Sequence, residues 1–264
     1  MSERRKGMHR RSFALLGLAL ALAPTLAWAQ SAQEILAASD RVRNPGTPFS
    51  LTNVLTEYRG GKPGDRMVLQ VYSKEDTASG KFRSLVRFVE PPRDENKLIL
   101  QDGLIMWFYD PEAKSSIRLS PQQRLMGQAS NGDVVTVNFA RDYKASLAGE
   151  ETIADADRQN HDCWRLDMTA SSEGTTYARI EYWVAKATAR PIKGKFYSDS
   201  GRLLKTAYYR RYQDIMGGQR PTETLIIDGI DTQLVTRMLY SDFTPREIPE
   251  SWYQRDYLPR FRPE

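Results

Sequence analysis

Hydrophobic residues follow a helical period directly after residue 30. The stripe consists of Ala32, Ile35, Leu36 and Val42. Ser31 and Glu34 have the spacing of a capping box at the start of this segment, and Asn44-Pro45-Gly46 predicts its end. We therefore expect one short amphipathic helix, with Ile35 and Leu36 lying on an apolar surface.

Further along the chain the hydrophobic period changes to two. The stripes are Met67, Leu69 and Val71; Phe82, Val86 and Phe88; Ala178, Ile180, Tyr182 and Val184; and Leu204, Thr206, Tyr208 and Arg210. Such alternation predicts antiparallel strands with one buried face and one wet face. Turn signals such as Gly60-Gly61 and Asp102-Gly103 separate the strands. Roughly ten strands in a meander must curl or close to protect their edges, so we expect a mainly β fold with a few helices.

One stretch, from Ser120 to about Tyr143, interrupts this rhythm. It has no strand alternation before Val134. A segment of this length inside a meander is either a lid or binding loop, or a plain surface excursion, and the sequence favours neither. Arg124, which follows Pro121, is a candidate for holding a lid shut by donating hydrogen bonds to its backbone carbonyls. The alternative is a surface arginine.

The start of the chain accounts for most of its positive charge. The chain has 264 residues and a net charge of +5, and Arg4, Arg5, Lys6, Arg10 and Arg11 lie within its first 11 residues. The remainder is close to neutral, which weakens the argument from charge for nucleic-acid binding, and we expect no nucleic-acid partner. Hydrophobic content of 40% and charged content of 27% are typical of a globular chain.

The basic start is followed by features of an export signal. An apolar run over residues 13–23 is too short to span a bilayer, which needs about 20 residues. Ala27-Trp28-Ala29 provides a small-x-small cleavage pattern, which predicts cleavage before Gln30. The basic pair Arg10-Arg11 leaves both the Sec and the Tat route open. We expect a signal peptide over residues 1–29 and one domain over residues 30–264.

The residues that most often carry chemistry are scarce. Cys163 is the one cysteine, and the two histidines are His9 and His161, which excludes a disulfide framework and a multi-histidine metal site. No nucleophile elbow, phosphate loop or dinucleotide motif is present. We therefore expect no catalytic residues, no metal and no cofactor. Cys163 is predicted to be a free, mostly buried thiol without a functional role.

The aromatic residues favour an apolar cavity. Alternation places Tyr182 and Trp183 on opposite faces of their strand, with Tyr182 inside and Trp183 outside. A curled sheet with a helix across its mouth offers a cavity large enough for a lipid. The predicted cavity residues are Ile35, Leu36, Phe82, Val86, Phe88, Trp107 and Tyr182.

Several motifs resemble the LolA-like outer-membrane lipoprotein-sorting proteins of Gram-negative bacteria. They are the opening helix Ala32–Leu36; Trp107-Phe108-Tyr109-Asp110-Pro111; Leu119-Ser120-Pro121 with Arg124 and Gly127; Tyr182-Trp183; Arg190-Pro191-Ile192-Lys193; Phe196-Tyr197; Gly201-Arg202-Leu203-Leu204-Lys205; and the ending from Phe243 to Leu258. The Arg-Pro and Gly-x-Leu-Leu-Lys run is the most specific of them. The resemblance covers nearly all of residues 32–261 and points to the broad group, not to the housekeeping carrier in particular.

The resemblance implies a half-open antiparallel β-barrel covered by helices, whose hydrophobic cavity takes the acyl chains of a lipid or lipoprotein. It also implies a periplasmic carrier that needs no cofactor and helps sort its cargo to the outer membrane. An inner-membrane transporter and an outer-membrane acceptor are candidate partners. An envelope sensor on the same fold is the alternative function, and an enzyme is the third.

Overall fold

A computed structural model of the chain describes Met1 and residues 30–262. The predicted signal peptide over residues 1–29 lies outside the described residues apart from Met1, so the structure does not test it. No helix within residues 30–262 has the length and apolar character needed to cross a bilayer.

The described chain contains two α-helices and fifteen β-strands. The helices are α1 (Ala32–Arg43) and α2 (Phe139–Asp142). The strands are β1 (Phe49–Arg59), β2 (Lys62–Glu75), β3 (Phe82–Glu90), β4 (Leu98–Asp102), β5 (Ile105–Asp110), β6 (Ser115–Leu119), β7 (Arg124–Met126), β8 (Ala129–Ser130), β9 (Tyr143–Ala154), β10 (Asn160–Ala170), β11 (Arg179–Ala185), β12 (Pro191–Tyr197), β13 (Leu203–Ile215), β14 (Gly218–Asp228) and β15 (Leu234–Pro245).

Thirteen of these strands form one curled antiparallel sheet in the order β6-β5-β4-β3-β2-β1-β15-β14-β13-β12-β11-β10-β9. The end strands β6 and β9 do not pair with each other, so the barrel stays half open. This confirms the predicted fold class. The sheet has more strands than expected because the short strands β4, β5 and β6 occupy a stretch that lacks a clear period-two stripe.

Helix α1 begins where the sequence predicted. The Ser31 hydroxyl accepts the Glu34 amide at 3.2 Å, and the Glu34 carboxylate accepts the Ser31 amide at 2.8 Å, which confirms the capping box. At the other end, Arg220 on β14 donates to the carbonyls of Arg41 and Val42 at 3.0 and 3.2 Å. These bonds satisfy carbonyls that the end of a helix leaves without partners, and they attach α1 to the sheet.

The main core lies on the concave face of the sheet, beneath α1. Ile35 and Leu36 are fully buried there, as the helical stripe predicted. On β13, however, the buried positions are Lys205 and Ala207, whereas Leu204 and Thr206 are half-buried. The predicted stripe on this strand was therefore out of phase by one residue, which moves each side chain to the other face.

A second core lies on the convex face of β2–β5. Two 3₁₀ turns, Glu250–Tyr253 and Arg255–Arg260, cross these strands. The cluster consists of Tyr72, Leu85, Leu98, Leu100, Tyr109, Ile248, Trp252, Tyr253, Leu258 and Phe261. The expectation of one wet face was therefore wrong for this part of the sheet, because the C-terminal segment covers it.

Candidate functional site

The irregular segment over residues 120–142, which we name the lid, lies across the concave face. It contains β7, β8, a 3₁₀ turn at Asn131–Asp133 and α2. Its buried apolar residues are Met126, Ala129, Val134, Val135 and Phe139, and all of them belong to the main core. The lid therefore covers the apolar concave face of the sheet, as a second sheet does in a β-sandwich. Of the two interpretations of this segment, the structure supports a covering lid.

Helix α1 holds the C-terminal end of the lid through polar contacts. The Val137 carbonyl accepts the Arg43 guanidinium at 3.1 Å and the Asn44 side-chain amide at 2.9 Å. The Arg43 guanidinium also forms an ion pair with Asp40 and lies 4.0 Å from the centre of the Phe139 ring. One arginine thus contacts both a lid carbonyl and a lid aromatic ring.

Two further side chains of α1 complete this attachment. The Asp40 carboxylate accepts the Ala140 amide at 2.7 Å, and burial raises the pKa of Asp40 while Arg43 opposes that rise. Gln33 donates to the Ala140 and Tyr143 carbonyls at 2.7 and 3.0 Å. These bonds satisfy backbone groups of the short helix α2 that would otherwise be buried without partners.

A buried charge cluster holds the central part of the lid, around residues 128–133. The Asp133 carboxylate accepts the Ser130 amide at 2.6 Å and the Tyr177 hydroxyl at 2.8 Å, and it forms an ion pair with Lys205. Lys205 is 3% exposed and also donates to the Gln128 carbonyl at 3.2 Å. Burial lowers the pKa of Lys205, and Asp133 opposes that effect. We name Asp133, Lys205, Tyr177 and Ser130 the charge cluster.

The lid also approaches the sheet very closely at one glycine. Gly127 has a φ of +54°, and a Cβ atom added there would lie 2.3 Å from the Thr236 hydroxyl. The same hydroxyl accepts the Gln128 amide at 2.7 Å. A side chain at Gly127 would therefore displace this hydrogen bond, so the turn between β7 and β8 needs a glycine.

Hydroxyl groups join the middle of the lid to β2 and β3. The Ser73 and Thr136 hydroxyl oxygens lie 2.6 Å apart, and those of Ser73 and Ser84 lie 2.9 Å apart. Ser73 and Ser84 are both fully buried. This places small polar contacts within an otherwise apolar interface, where water entering beneath the lid would replace them.

Two cavities remain beneath the lid. Cavity I has a volume of about 100 Å³ and cavity II about 110 Å³. Both are lined by Arg43, Asp133, Val135, Val137, Tyr209, Thr224 and Tyr240. An apolar cavity of about 150 Å³ holds one benzene molecule, so neither can take a long acyl chain. The expected lipid-sized cavity is therefore not open in this structure, because the lid side chains occupy the space.

Six of the seven predicted cavity residues face the concave side. Ile35, Leu36, Phe82, Val86, Phe88 and Tyr182 are buried in the main core. None of the six lines cavity I or cavity II, since they pack directly under α1 and the lid. Whether a ligand contacts them stays a prediction. Trp183 faces the convex side as expected, but it is 4% exposed because it packs in a small cluster with Cys163 and Ile192.

Two predicted site residues are not where the sequence suggested. Trp107 pairs with Leu100 and faces the convex side beside the C-terminal segment, because the inward positions of β5 are Met106 and Phe108. Arg124 is exposed, and within the described residues its side chain makes no hydrogen bond to a lid carbonyl. Arg43 and Lys205 make the lid contacts that were expected of Arg124.

The sequence contained a signal for one of these two cations. Lys205 lies within the Gly-x-Leu-Leu-Lys motif and alternates with Ala207 and Tyr209, so a correct strand phase places it on the concave face. Arg43 ends a helix, and nothing in the local sequence distinguishes it from a solvated arginine. Across residues 30–262, no group of three or more His, Cys, Asp or Glu side chains could hold a metal ion.

A curled, half-open antiparallel sheet with a tethered lid over its apolar face defines the class of fold to which the chain belongs. Several solved structures share this architecture. A LolA superfamily protein from Nitrosomonas europaea is 34% identical with a TM-score of 0.78, and the match covers 87% of this chain and 100% of the other. The chain belongs to the LolA superfamily.

More distant structures share the fold. A DUF1329 family protein from Desulfovibrio piger is 23% identical with a TM-score of 0.72, covering 86% of this chain and 97% of the other. A domain named for outer membrane lipoprotein sorting, from Vibrio parahaemolyticus, is 18% identical with a TM-score of 0.71, covering 87% and 98%. A protein-family model described as "Uncharacterized protein" matches residues 80–260. No curated protein matches the chain.

Proposed function

We propose that the protein is a periplasmic carrier that takes up acyl chains of a lipid or lipoprotein beneath its lid and helps deliver the cargo to the outer membrane. The observation that carries this proposal is the lid, whose apolar side chains cover the concave face while a few polar contacts hold its centre and its C-terminal part. Membership of the LolA superfamily supports the proposal. In this role the protein is a binding protein and not an enzyme.

The physics of transport explains why a removable cover is useful. An acyl chain in water exposes apolar surface at a free-energy cost of about 0.8 kcal/mol per CH₂. The concave face can be buried either by lid residues such as Val135 and Phe139 or by the cargo. Exchange of one apolar cover for the other keeps both the protein interior and the acyl chain out of water.

The proposal requires the lid to move, and a reversible crosslink tests this. The Ser73 and Thr136 hydroxyl oxygens are 2.6 Å apart, so the two side chains already point at each other, as the two cysteines of a disulfide must. In a Cys163→Ala background, the pair Ser73→Cys and Thr136→Cys should form a disulfide between β2 and the lid. We expect the oxidised protein to lose binding of a fluorescent fatty-acid probe, and the reduced protein to recover it.

Two controls keep this experiment interpretable. The Cys163→Ala protein, treated with the same oxidant, should bind the probe as the unmodified protein does, because Cys163 lies on the convex side. Lipid extraction followed by mass spectrometry of protein recovered from the periplasm should find a copurified lipid. If the oxidised, folded protein binds the probe as well as the reduced protein, uptake beneath the lid is wrong.

Export is part of the same proposal. The basic start, the apolar run over residues 13–23 and Ala27-Trp28-Ala29 support removal of residues 1–29. N-terminal sequencing of protein from the periplasm should begin at Gln30 or within a few residues of it. A full-length product attached to the membrane would contradict the assignment.

A further inference from the structure

A polar pocket lies on the outer surface at the joint between the lid and the start of β13. It has a volume of about 190 Å³, and we name it the seam pocket. Its lining includes Arg124 and Ser130 from the lid, Tyr177, Arg202 and Lys205 at or near the start of β13, and Asp228 at the end of β14. Lid displacement would change its shape, because the lid provides one of its walls.

Two arginines give the seam pocket its positive charge. Arg124 and Arg202 line it together with Lys205, whose charge is already paired with Asp133, and Asp228 provides the single carboxylate of the lining. That carboxylate already accepts the backbone amides of Ile230 and Asp231 at 2.8 and 2.9 Å. Among residues 30–262, neither Arg124 nor Arg202 forms an ion pair with a carboxylate. Two guanidinium groups are thus left with their donors available at the rim.

The charge of Arg124 reaches the buried lysine. Burial lowers the pKa of Lys205, and the positive charge of Arg124 adds to this decrease, while Asp133 opposes it. An anion placed between Arg124 and Lys205 would relieve this repulsion. Guanidinium groups also match the oxygens of phosphates and carboxylates through paired hydrogen bonds.

The seam pocket continues into the interior. Lys205 and Tyr177 line both the seam pocket and cavity I. Beyond Lys205, the alternate residues Ala207 and Tyr209 of β13 line cavity I, and at about 3.3 Å per residue they extend about 13 Å into the molecule. One strand therefore leads from an exposed arginine at the rim to the apolar interior.

We propose that the seam pocket binds the anionic head group, a phosphate or carboxylate, of a lipid whose acyl chain lies beneath the lid. This inference rests on the proposed function and specifies its substrate class as an anionic amphiphile. Arg124 and Arg202 hold the head group at the solvent edge, where it keeps part of its hydration. The Gly-Arg-Leu-Leu-Lys motif thereby gains a role, since its arginine and lysine both line the pocket.

Binding of two single-chain lipids with the same acyl chain tests the inference. One is lysophosphatidylglycerol, which carries a phosphate, and the other is a monoacylglycerol without charge, each used below its micellar concentration in competition with a fluorescent fatty-alcohol probe. The variants are Arg124→Gln, Arg202→Gln and their combination. Arg118→Gln is the matched control, because Arg118 is an exposed arginine that faces the convex side of β6.

We expect the double variant to bind lysophosphatidylglycerol about tenfold more weakly, because each lost ion pair is partly exposed and contributes an amount near the middle of the usual range for such pairs. Its affinity for the monoacylglycerol should stay within about twofold of the unmodified protein, as should both affinities of the control. The monoacylglycerol also reports on folding, because a misfolded variant would lose both lipids.

The other outcomes overturn the inference in distinguishable ways. Equal binding of both lipids, with no effect of the double variant on either, would refute the head-group site but leave the carrier function intact. Failure of the unmodified protein to bind either lipid or the probe would refute both. If inorganic phosphate alone binds tightly and the arginine variants weaken only phosphate, the pocket serves a free anion and the lipid assignment is wrong.

Discussion

Replacing Asp133 with alanine removes a carboxylate that three groups share. The Ser130 amide and the Tyr177 hydroxyl donate to it at 2.6 and 2.8 Å, and the Lys205 ammonium forms an ion pair with it. Lys205 is 3% exposed, and in the variant its ammonium would keep the Gln128 carbonyl, at 3.2 Å, as its hydrogen-bond partner among the described residues. The variant therefore leaves a buried cation and a buried hydroxyl poorly satisfied.

The loss of stability in Asp133→Ala can be estimated from the contacts that the carboxylate makes. Removing one member of a buried ion pair destabilises a protein by about 3–5 kcal/mol, and leaving a buried hydroxyl without a partner by about 1–3 kcal/mol. The two terms overlap because they concern one cluster, so we expect a loss of about 3–5 kcal/mol in the free energy of unfolding. Asp133→Asn keeps an acceptor for Tyr177 and should isolate the charge component.

A double-mutant cycle measures the coupling directly. Asp133→Asn and Lys205→Met should each lower the urea-derived free energy of unfolding by about 3 kcal/mol, whereas the combined variant, which buries no charge there, should lose about 1 kcal/mol or less. Single losses below about 1 kcal/mol, or additive losses in the combined variant, would refute the reasoning.

Hydrogen exchange locates the loss within the molecule. The amides of Asn131 and Gly132 donate to the Gln123 and Pro121 carbonyls inside the lid. If the charge cluster holds the lid down, these amides should exchange faster in Asp133→Asn, while those of β1 change only with global stability. Equal acceleration in both regions would show that the cluster stabilises the whole fold and not the lid in particular.

Three other perturbations test separate parts of the structure. Burial raises the pKa of Tyr143, Tyr177, Tyr182, Tyr209, Tyr212 and Tyr240. Above pH about 10 only the unfolded chain loses these protons readily, so the free energy of unfolding should fall as the pH rises. Chemical denaturation should show a decrease of up to about 1.4 kcal/mol per tyrosine per pH unit. A free energy of unfolding that does not change with pH in this range would contradict the prediction. Burial raises the pKa of Cys163 to about 11, so a thiol reagent should react slowly at neutral pH, and Cys163→Ala should leave probe binding unchanged. Trp252→Ala should lower the free energy of unfolding by about 3–5 kcal/mol without accelerating exchange in the lid, because Trp252 belongs to the convex core.

Features with local causes could be predicted from the sequence. The capping box of Ser31 and Glu34 involves residues within one helical turn, so it needs no knowledge of the rest of the chain. The period-two stripe through Tyr182 likewise places that side chain inside, because alternation along a strand is a property of the backbone. The curled sheet follows from many such strands joined by short turns.

Features that depend on contacts with distant parts of the chain could not be predicted from the sequence. Trp107 faces the convex side, and that face is buried only because residues 246–262 return across it. From the sequence only Arg124 is proposed as a lid contact, because Arg43 resembles any solvated arginine at a helix end, and only the fold brings the Val137 carbonyl to Arg43. The phase of β13 was ambiguous because tyrosines occur at both parities, so the predicted stripe through Leu204 is out of phase with the buried Lys205 and Ala207.

A lysine in the concave core is costly for a protein that only needs to be stable. Well-packed apolar residues in place of a buried ion pair are often neutral or stabilising by about 1–4 kcal/mol. Lys205 and Asp133 therefore stabilise the closed lid less than an apolar contact of the same volume could. Their charges can nevertheless be rehydrated when the lid lifts, which an apolar contact cannot. The pair thus holds the lid closed at a lower free-energy cost of opening than a fully apolar contact would impose, and that balance agrees with the proposed role of the lid as a removable cover.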